Sequence, residues 1–530
     1  MRRNLPPLLY CCSLAFALVA SGCVTSQSIE GTGGSTGSGG TSSGTGGSGT
    51  GGNGTGGNGT GTGGSSTGGN TGTGGSVTGT GGSSHTGGQA GGGSSTGGST
   101  GTGGSGSGNC TVTLMSGVPS TKIGTVGVVT FSTSLSKPTE GHIDFGLATT
   151  YGMTAPVDFT QTNNQTLLLG MKPNKMYHYN ISVTDGSNTC TSGDQTIMTK
   201  PQPNAGLPTL TPTTNNKAAL WGGFLVIGSY QGSTYQSYIL DADLDFVWWY
   251  STGTDGCGTR MSYDGKYMWM NNGDVGDPKG ASVHRVTMDG LNDTDLSTPF
   301  KGESHQLTPM PDGSVAFYAT GSNGCDDVKI FPANGTATST ATTVVNAKTA
   351  HGGSGMCHLN NIEYDGSDDT LVFSDLDNVC LTKVKKTGET VWVWGGTNGV
   401  TSTITGDLWT GGEHGFHIIT PTDYLIFNNN SPNNSQALEL TLDATAKKST
   451  KTWSFTPSPG LKVMVLGDVQ RMTVAGPTGA GKGNTIIDFG TGNYIYEVDS
   501  SGTVLQTIKS QYPFGFMEKR ATLYGTPTRW

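Results

Sequence analysis

Three similar phrases, each opening on a histidine, recur along this chain: His305-Gln-Leu-Thr-Pro-Met-Pro-Asp-Gly, His358-Leu-Asn-Asn-Ile-Glu-Tyr-Asp-Gly and His414-Gly-Phe-His-Ile-Ile-Thr-Pro-Thr. A β-type run follows each: Val315-Ala-Phe-Tyr, Leu371-Val-Phe-Ser and Leu425-Ile-Phe-Asn. The phrases stand 53 and 56 residues apart. A repeat of about 50 residues built from short strands predicts a β-propeller, with four-stranded blades around a central channel. Equivalent positions on successive blades lie on a ring about that channel, so histidines in register should converge there. Counting back from Tyr263-Asp-Gly265 puts Cys257 at the histidine position of the preceding blade, and Gly467 takes it in a later one. Three contiguous blades thus carry His and the others do not, which points to a functional sector rather than a repeat rule.

The repeat occupies the C-terminal part of the chain, roughly residues 201–530, enough for about six blades at ~50 residues each. Three phrases read as outer hairpins: Ile239 to Trp249, Val384 to Trp394 and Tyr496 to Leu505, each a strand, a tight Asp/Gly turn and a strand. Pro201 to Pro212 is a Pro-rich boundary. Before it, residues 109–200 alternate with period two, as in Gly127-Val-Val-Thr-Phe and Tyr177-His-Tyr-Asn-Ile-Ser-Val, and predict one small β-sandwich. Leu168 to Tyr177 resembles the tyrosine corner of fibronectin type III domains, which implies a hydrogen bond from upstream backbone to the Tyr hydroxyl. This unit reads as a spacer or docking module without chemistry of its own.

The N-terminal 108 residues have little to bury. Residues 1–22 read as a secretory signal, with Arg2 and Arg3 before the apolar stretch Leu8 to Ala20, too short to span a bilayer. Val19-Ala-Ser-Gly-Cys23 resembles the bacterial lipoprotein signal, which implies lipidation of Cys23 and an exported protein held to a membrane, facing the periplasm or the cell surface. The alternative is an ordinary cleaved signal. Residues 23–108 are almost wholly Gly, Ser and Thr, a disordered tether by composition. The net charge of −9 is spread out without a basic patch, which argues against nucleic acid as a partner.

Six cysteines remain after the signal and Cys23: Cys110, Cys190, Cys257, Cys325, Cys357 and Cys380. An even number in an exported chain predicts disulfides. Cys110 and Cys190 bracket the sandwich and are expected to pair; Cys357 with Cys380, and Cys257 with Cys325, complete the expected set. Zinc by close Cys-x-x-Cys pairs is absent.

A neutral imidazole is a nucleophile and general base near neutral pH, and two more beside it can polarise oxygens and handle a proton. That set suits phosphoryl or sulfuryl transfer through a histidine adduct. Residues from about 215 to 530 resemble the bacterial arylsulfate sulfotransferases. The phrases that match are Cys357 to Leu371, Thr387-Gly-Glu-Thr-Val-Trp-Val-Trp-Gly-Gly, Glu413-His-Gly-Phe-His-Ile-Ile, Gly467-Asp-Val-Gln-Arg and Arg520-Ala-Thr-Leu-Tyr. The resemblance implies an exported six-bladed propeller that moves a sulfuryl group from a small aryl sulfate to a phenolic acceptor without a cofactor. It implies His414 as the residue transiently sulfated, His305 and His358 as holders of the sulfuryl oxygens, and Asn360 as a further substrate contact. One departure stands out: the family arginine after the second histidine is replaced by Leu376 in Phe373-Ser-Asp-Leu. A guanidinium aimed at the oxygens would then have to come from Arg260, Arg471 or Arg520, or the chain binds without turnover.

Other readings are set against these. Three imidazoles and a water form an open zinc site, though no carboxylate stands in register to orient them. Three buried histidines satisfied by backbone carbonyls are the plain structural alternative. His417 is expected to be structural, His351 and His85 exposed, and His142, His178 and His284 strand residues with no visible partner. Trp394, Trp409 and Phe416 suit either ring stacking on a substrate or the core. Gly476-Pro-Thr-Gly-Ala-Gly-Lys482-Gly imitates a phosphate loop, but Gly483 replaces Ser/Thr and a strand follows, so it reads as a hairpin loop. Asp-Gly pairs mark turns, and calcium-loop spacing is missing.

Overall fold

The computed structural model describes residues 110–527 except 231, 254–256, 273–281 and 431. The expected signal, Cys23, the tether and His85 lie outside the described residues. Within them the fold is all-β: a small β-sandwich followed by a six-bladed propeller.

The sandwich packs a three-stranded sheet (Val112–Pro119, Gly127–Thr133, Thr166–Leu168) against a five-stranded one centred on Glu140–Gly146 and Met176–Thr184. Strand alternation is the cause: Tyr177, Tyr179, Ile181 and Val183 are buried on one face of the long strand, with polar residues between. The Tyr177 hydroxyl accepts the Lys172 N–H at 2.8 Å, five residues upstream. Cys110 and Cys190 form a disulfide, as expected.

Each blade is built on four antiparallel strands, in chain order from the channel outward except in blade 1, and blade 5 adds Thr405–Gly406 parallel to its outer strand. Inner strands are Gly258–Met261 in blade 2, Thr308–Pro309 in blade 3, Leu359–Asp365 in blade 4, Glu413–Ile418 in blade 5 and Asp468–Arg471 in blade 6. Blade 1 takes its inner strand, Phe514–Arg520, from the C-terminal end, beside Phe224–Ser229, Ser237–Leu240 and Phe246–Tyr250. Blade 6 gains an outermost fifth strand, Leu210–Thr214, from the stretch read as a Pro-rich boundary. Pro212 fits because an edge strand leaves one side of the backbone unpaired. The three expected hairpins are third and fourth strands of blades 1, 4 and 6. The loop at 476–483 joins the first two strands of blade 6, with no helix after it.

The sandwich is docked on the propeller. Ser120 Oγ donates to the Asp289 carbonyl at 2.6 Å and Thr125 Oγ1 to the Val247 carbonyl at 2.7 Å. Ile123, Val126 and Leu169 share a buried cluster with Val226, Trp248 and Met268 of the propeller. The Tyr524 hydroxyl accepts the Leu169 N–H and donates to the Leu167 carbonyl.

Two expectations about cysteine fail. Cys325 pairs with Cys357, and neither Cys257 nor Cys380 is in a disulfide. The bond therefore crosses from blade 3 to the loop entering blade 4, rather than closing within one blade. Cys380 sits mid-sheet, its thiol pushed well up by burial.

Candidate functional site

The inner strands that carry histidine are irregular where the histidine stands. In blade 3, pairing stops after the Glu303–Ala319 bridge and resumes at Thr308, so His305 sits in the gap with a left-handed φ of 58°. In blade 4 the register slips between Leu359 and Ile362, just after His358. In blade 5 it slips between Glu413 and Phe416, across His414 itself. Blades 2 and 6 pair without a break and have no histidine there; blade 1 has a break between its inner and second strands and none either. Such bulges re-aim a side chain out of the sheet's alternation. Nothing in the sequence pattern announces them, and they were missed.

The three rings meet. His305 lies 5.1 Å from His358 and 6.1 Å from His414 between ring centroids. All three residues are buried. Tyr230, Cys257, Leu466 and Phe516, from blades 1 and 2 and the segment leading into blade 6, form an apolar cluster. Gly415 lets blade 6 come close: its N–H donates to the Gly467 carbonyl at 2.8 Å, and a Cβ there would stand 2.6 Å from the Asp468 Cα.

The proton on His414 can be placed. Its Nδ1 is 2.7 Å from Asn429 Oδ1. Asn429 Nδ2 donates to the carbonyls of Val463 and Leu466, which can only accept, so the amide oxygen must face the imidazole. His414 therefore carries its proton on Nδ1 and keeps a lone pair on Nε2. Burial lowers its pKa to about 3, with His358 pushing the same way and the Asn429 bond opposing. Burial, then His358 and His414, hold His305 well below its ordinary value. His358 is lowered by burial against the pull of Asp377 and Asp375. At neutral pH the trio is uncharged. Both ring nitrogens of His305 and Nε2 of His358 are buried without a hydrogen-bond partner, so the plain alternative of imidazoles satisfied by backbone carbonyls does not describe these two.

Carboxyls support the site from behind. Asp375 accepts the His358 N–H at 3.1 Å and the Asn378 N–H at 3.2 Å on one oxygen. Its other oxygen takes Asn378 Nδ2 at 2.8 Å and His351 Nε2 at 3.1 Å. Burial alone would raise this acid; the bonds from His351, Asn378 and His358 outweigh it and lower it. His351 is thus buried at the end of the short helix Ala347–His351, not exposed as expected. His351, Cys357 and Asp375 bring ligand atoms within 4.8 Å of one another. They do not suit a metal: Cys357 is in a disulfide, and the Gly353 N–H at 3.2 Å makes His351 Nδ1 the acceptor, leaving a proton on Nε2. Glu303 is buried, bonded by Asn271, and pushed up to about 8 by burial; Glu413 is likewise pushed well up while accepting Trp409 Nε1.

The other expected site residues are placed as follows. Asn360 is buried with Nδ2 donating to the Glu413 carbonyl at 2.7 Å, and its Oδ1 is unpartnered. Arg260 donates to the Met517 carbonyl at 2.6 Å and lies 3.5 Å from Asp468, an inner-strand tie across the channel. Arg471 pairs with Glu439 at 2.7 Å and stacks over Trp453, toward the outer strands of blade 5. Arg520 is enclosed by Glu518 and the carbonyls of Thr522 and Gly525. None of these contacts brings a guanidinium to the histidines. Leu376 is half-buried beside Gly412, its N–H on the His358 carbonyl at 2.9 Å. Trp394, Trp409 and Phe416 belong to the core between blades 4 and 5. His417 accepts the Arg471 N–H, a structural role. His142, His178 and His284 do have partners: Asp144, Asp194 and Asp293.

No family model matches this chain, and no curated protein matches it. Among solved structures it is similar to TolB from Acinetobacter baumannii, at 11% identity over 66% of this chain and 80% of that one, TM-score 0.37. It is similar to a putative 6-phosphogluconolactonase from Bacteroides fragilis, at 12% identity over 56% and 99%, TM-score 0.35. A third is the β-propeller domain of Cps50 (Swd1) from Myceliophteria thermophila, at 12% identity over 58% and 88%, TM-score 0.35. Likeness at this level carries nothing about function.

Proposed function

We propose that this protein is a sulfotransferase-like propeller that moves a sulfuryl group from an aryl sulfate to a phenol through a sulfohistidine at His414. The observation that carries the reading is the Asn429 bond, which leaves the lone pair of His414 on Nε2, with two further neutral imidazoles beside it. Nε2 attacks sulfur, the N–S bond forms, the S–O bond to the aryl group breaks, and the phenolate leaves and takes a proton from solvent. The acceptor phenol then gives its proton to solvent and its oxygen attacks sulfur, so the S–O bond forms, the N–S bond breaks and the neutral imidazole returns. His305 and His358 each have a ring N–H to give to sulfuryl oxygens, in a site where such donors are worth more than in water. Glu303 and Glu413, kept neutral by burial, add no negative charge there, so Asp375 and Asp377 are the acids that act on His358. No cofactor enters this scheme. The anchor at Cys23 and the exported, membrane-held location belong to the same proposal.

The ring spacing favours an oxyanion over a metal. Imidazoles sharing one zinc at ~2.0 Å bring their nitrogens to about 3.3 Å of each other. Among the described residues, the three channel histidines do not form a group of ligand atoms close enough to share a metal ion.

A second reading, a surface propeller that binds without turnover, is supported by Leu376 and by the engagement of Arg260, Arg471 and Arg520 elsewhere. Purified protein with a chromogenic phenyl sulfate and a phenol acceptor separates the two. Phenol release that His414→Ala abolishes supports transfer; no release across varied acceptors supports the binder.

A further inference from the structure

Four arginines have described side chains. Arg260, Arg471 and Arg520 each have a carboxylate at 3.5, 2.7 and 3.1 Å. Arg285, on the third strand of blade 2, has no ion pair and no side-chain hydrogen bond among the described residues, and its Nε is buried without a partner. Its Cζ lies 5.2 Å from the ring centre of Tyr267 and 5.7 Å from that of Trp269. Two aromatic faces hold the guanidinium flat and take away part of its water, with no acid to compensate.

Arg285 borders a cleft of about 250 Å³ between blades 2 and 3, lined also by Tyr263, Tyr267, Trp269, Pro309 and Met310. Two acids border it too, but both are engaged: Asp264 Oδ1 accepts from Ser262 and the Lys266 N–H, and Asp312 Oδ1 accepts from the Ser314 N–H. The cleft lies by the turn that follows the inner strand of blade 3. His305 precedes that strand, so the cleft is at the other end of the blade from the histidines. A volume just under the ~300 Å³ of drug-sized sites suits a ligand of one ring.

We propose that this cleft is a second ligand site, taking a small organic anion whose sulfate, sulfonate or carboxylate group meets the Arg285 fork while its flat apolar body lies against Tyr263 and Pro309. Two oxygens of one such group can accept two guanidinium N–H bonds at once, and a partly desolvated guanidinium is the chemistry that selects it. The site is independent of sulfuryl transfer at His414.

The test titrates the full-length protein with benzenesulfonate by calorimetry, and follows the Arg285 Nε–H signal by ¹⁵N NMR, assigned by its loss in Arg285→Gln. Binding is expected in the wild type and in His414→Ala, at least tenfold weaker in Arg285→Ala and Arg285→Gln, with the Nε–H signal shifting on titration. Neutral benzyl alcohol, which lacks the anion, should bind far more weakly. The proposal is overturned if both Arg285 variants keep the affinity, if binding depends on His414 alone, if benzyl alcohol binds as well, or if the Nε–H signal stays still.

Discussion

Asn429 holds His414 by a bond from the imidazole Nδ1–H to the amide oxygen, and is itself held by the Val463 and Leu466 carbonyls of the segment that leads from blade 5 into blade 6. The orientation of the reactive nitrogen is thereby built into the contact between blades 5 and 6. Asn429→Ala should lower transfer roughly 10- to 100-fold, the usual cost of losing an orienting partner. Asn429→Asp should act differently: a carboxylate favours the imidazolium, raises the His414 pKa, and moves the acid limb of the rate profile to higher pH. Phenol release against pH for both variants checks this, and an unmoved limb in the aspartate variant contradicts it.

Buried Glu303 and His414 squeeze stability from opposite sides of the pH scale. Glu303 is raised from 4.5 to about 8, so its contribution is complete below pH 4.5 and is lost as pH rises toward 8. His414 is lowered from 6.5 to about 3, so its contribution is complete above pH 6.5 and is lost as pH falls toward 3. Glu303→Gln removes the first effect only. Urea unfolding at pH 4.5 and pH 8 should show the variant gaining on wild type by up to a few kcal/mol at the higher pH. An equal difference at both pH values would count against a neutral Glu303.

The Cys325–Cys357 bond clamps the residue before His358 to blade 3. Its closed loop spans a separation of 32 residues. Chain entropy alone then makes Cys325→Ser less stable by about 3–4 kcal/mol. Peptide mapping without reductant should recover the Cys325–Cys357 pair and no pair containing Cys257 or Cys380.

Leu376 offers the sharpest test between transfer and binding alone. Leu376→Arg places a guanidinium one residue after Asp375, next to the loop that carries His358. If the histidines do the chemistry, kcat/KM for a phenyl sulfate should rise at least about tenfold, since single donors to a developing oxyanion are worth ~10² or more. No gain alongside intact folding favours the binder.

Much of the architecture was open to reading from the residues. The histidine phrases fixed the blade period, and their register brought the three rings to one place. What stayed hidden depends on contacts across the chain. Cys357 was matched with Cys380 because both flank one blade; the fold sets it against Cys325 on the preceding blade instead. His351 looked like a loop residue beside glycines, and only the approach of Asp375 shows it to be buried. The arginines could not be placed because a strand position gives a face, not a partner. The bulges at His358 and His414 have no compositional mark at all.

The closing strands carry a consequence for biogenesis. Phe514–Arg520 completes blade 1, and Leu210–Thr214 completes blade 6, so each end of the ring waits for the chain's opposite terminus. Synthesis must be nearly finished before either blade exists in full. A chain cut short by some twenty residues would lose the inner strand of blade 1 and with it the closure, leaving the edge of Phe224–Ser229 unpaired while Leu210–Thr214 stays on blade 6.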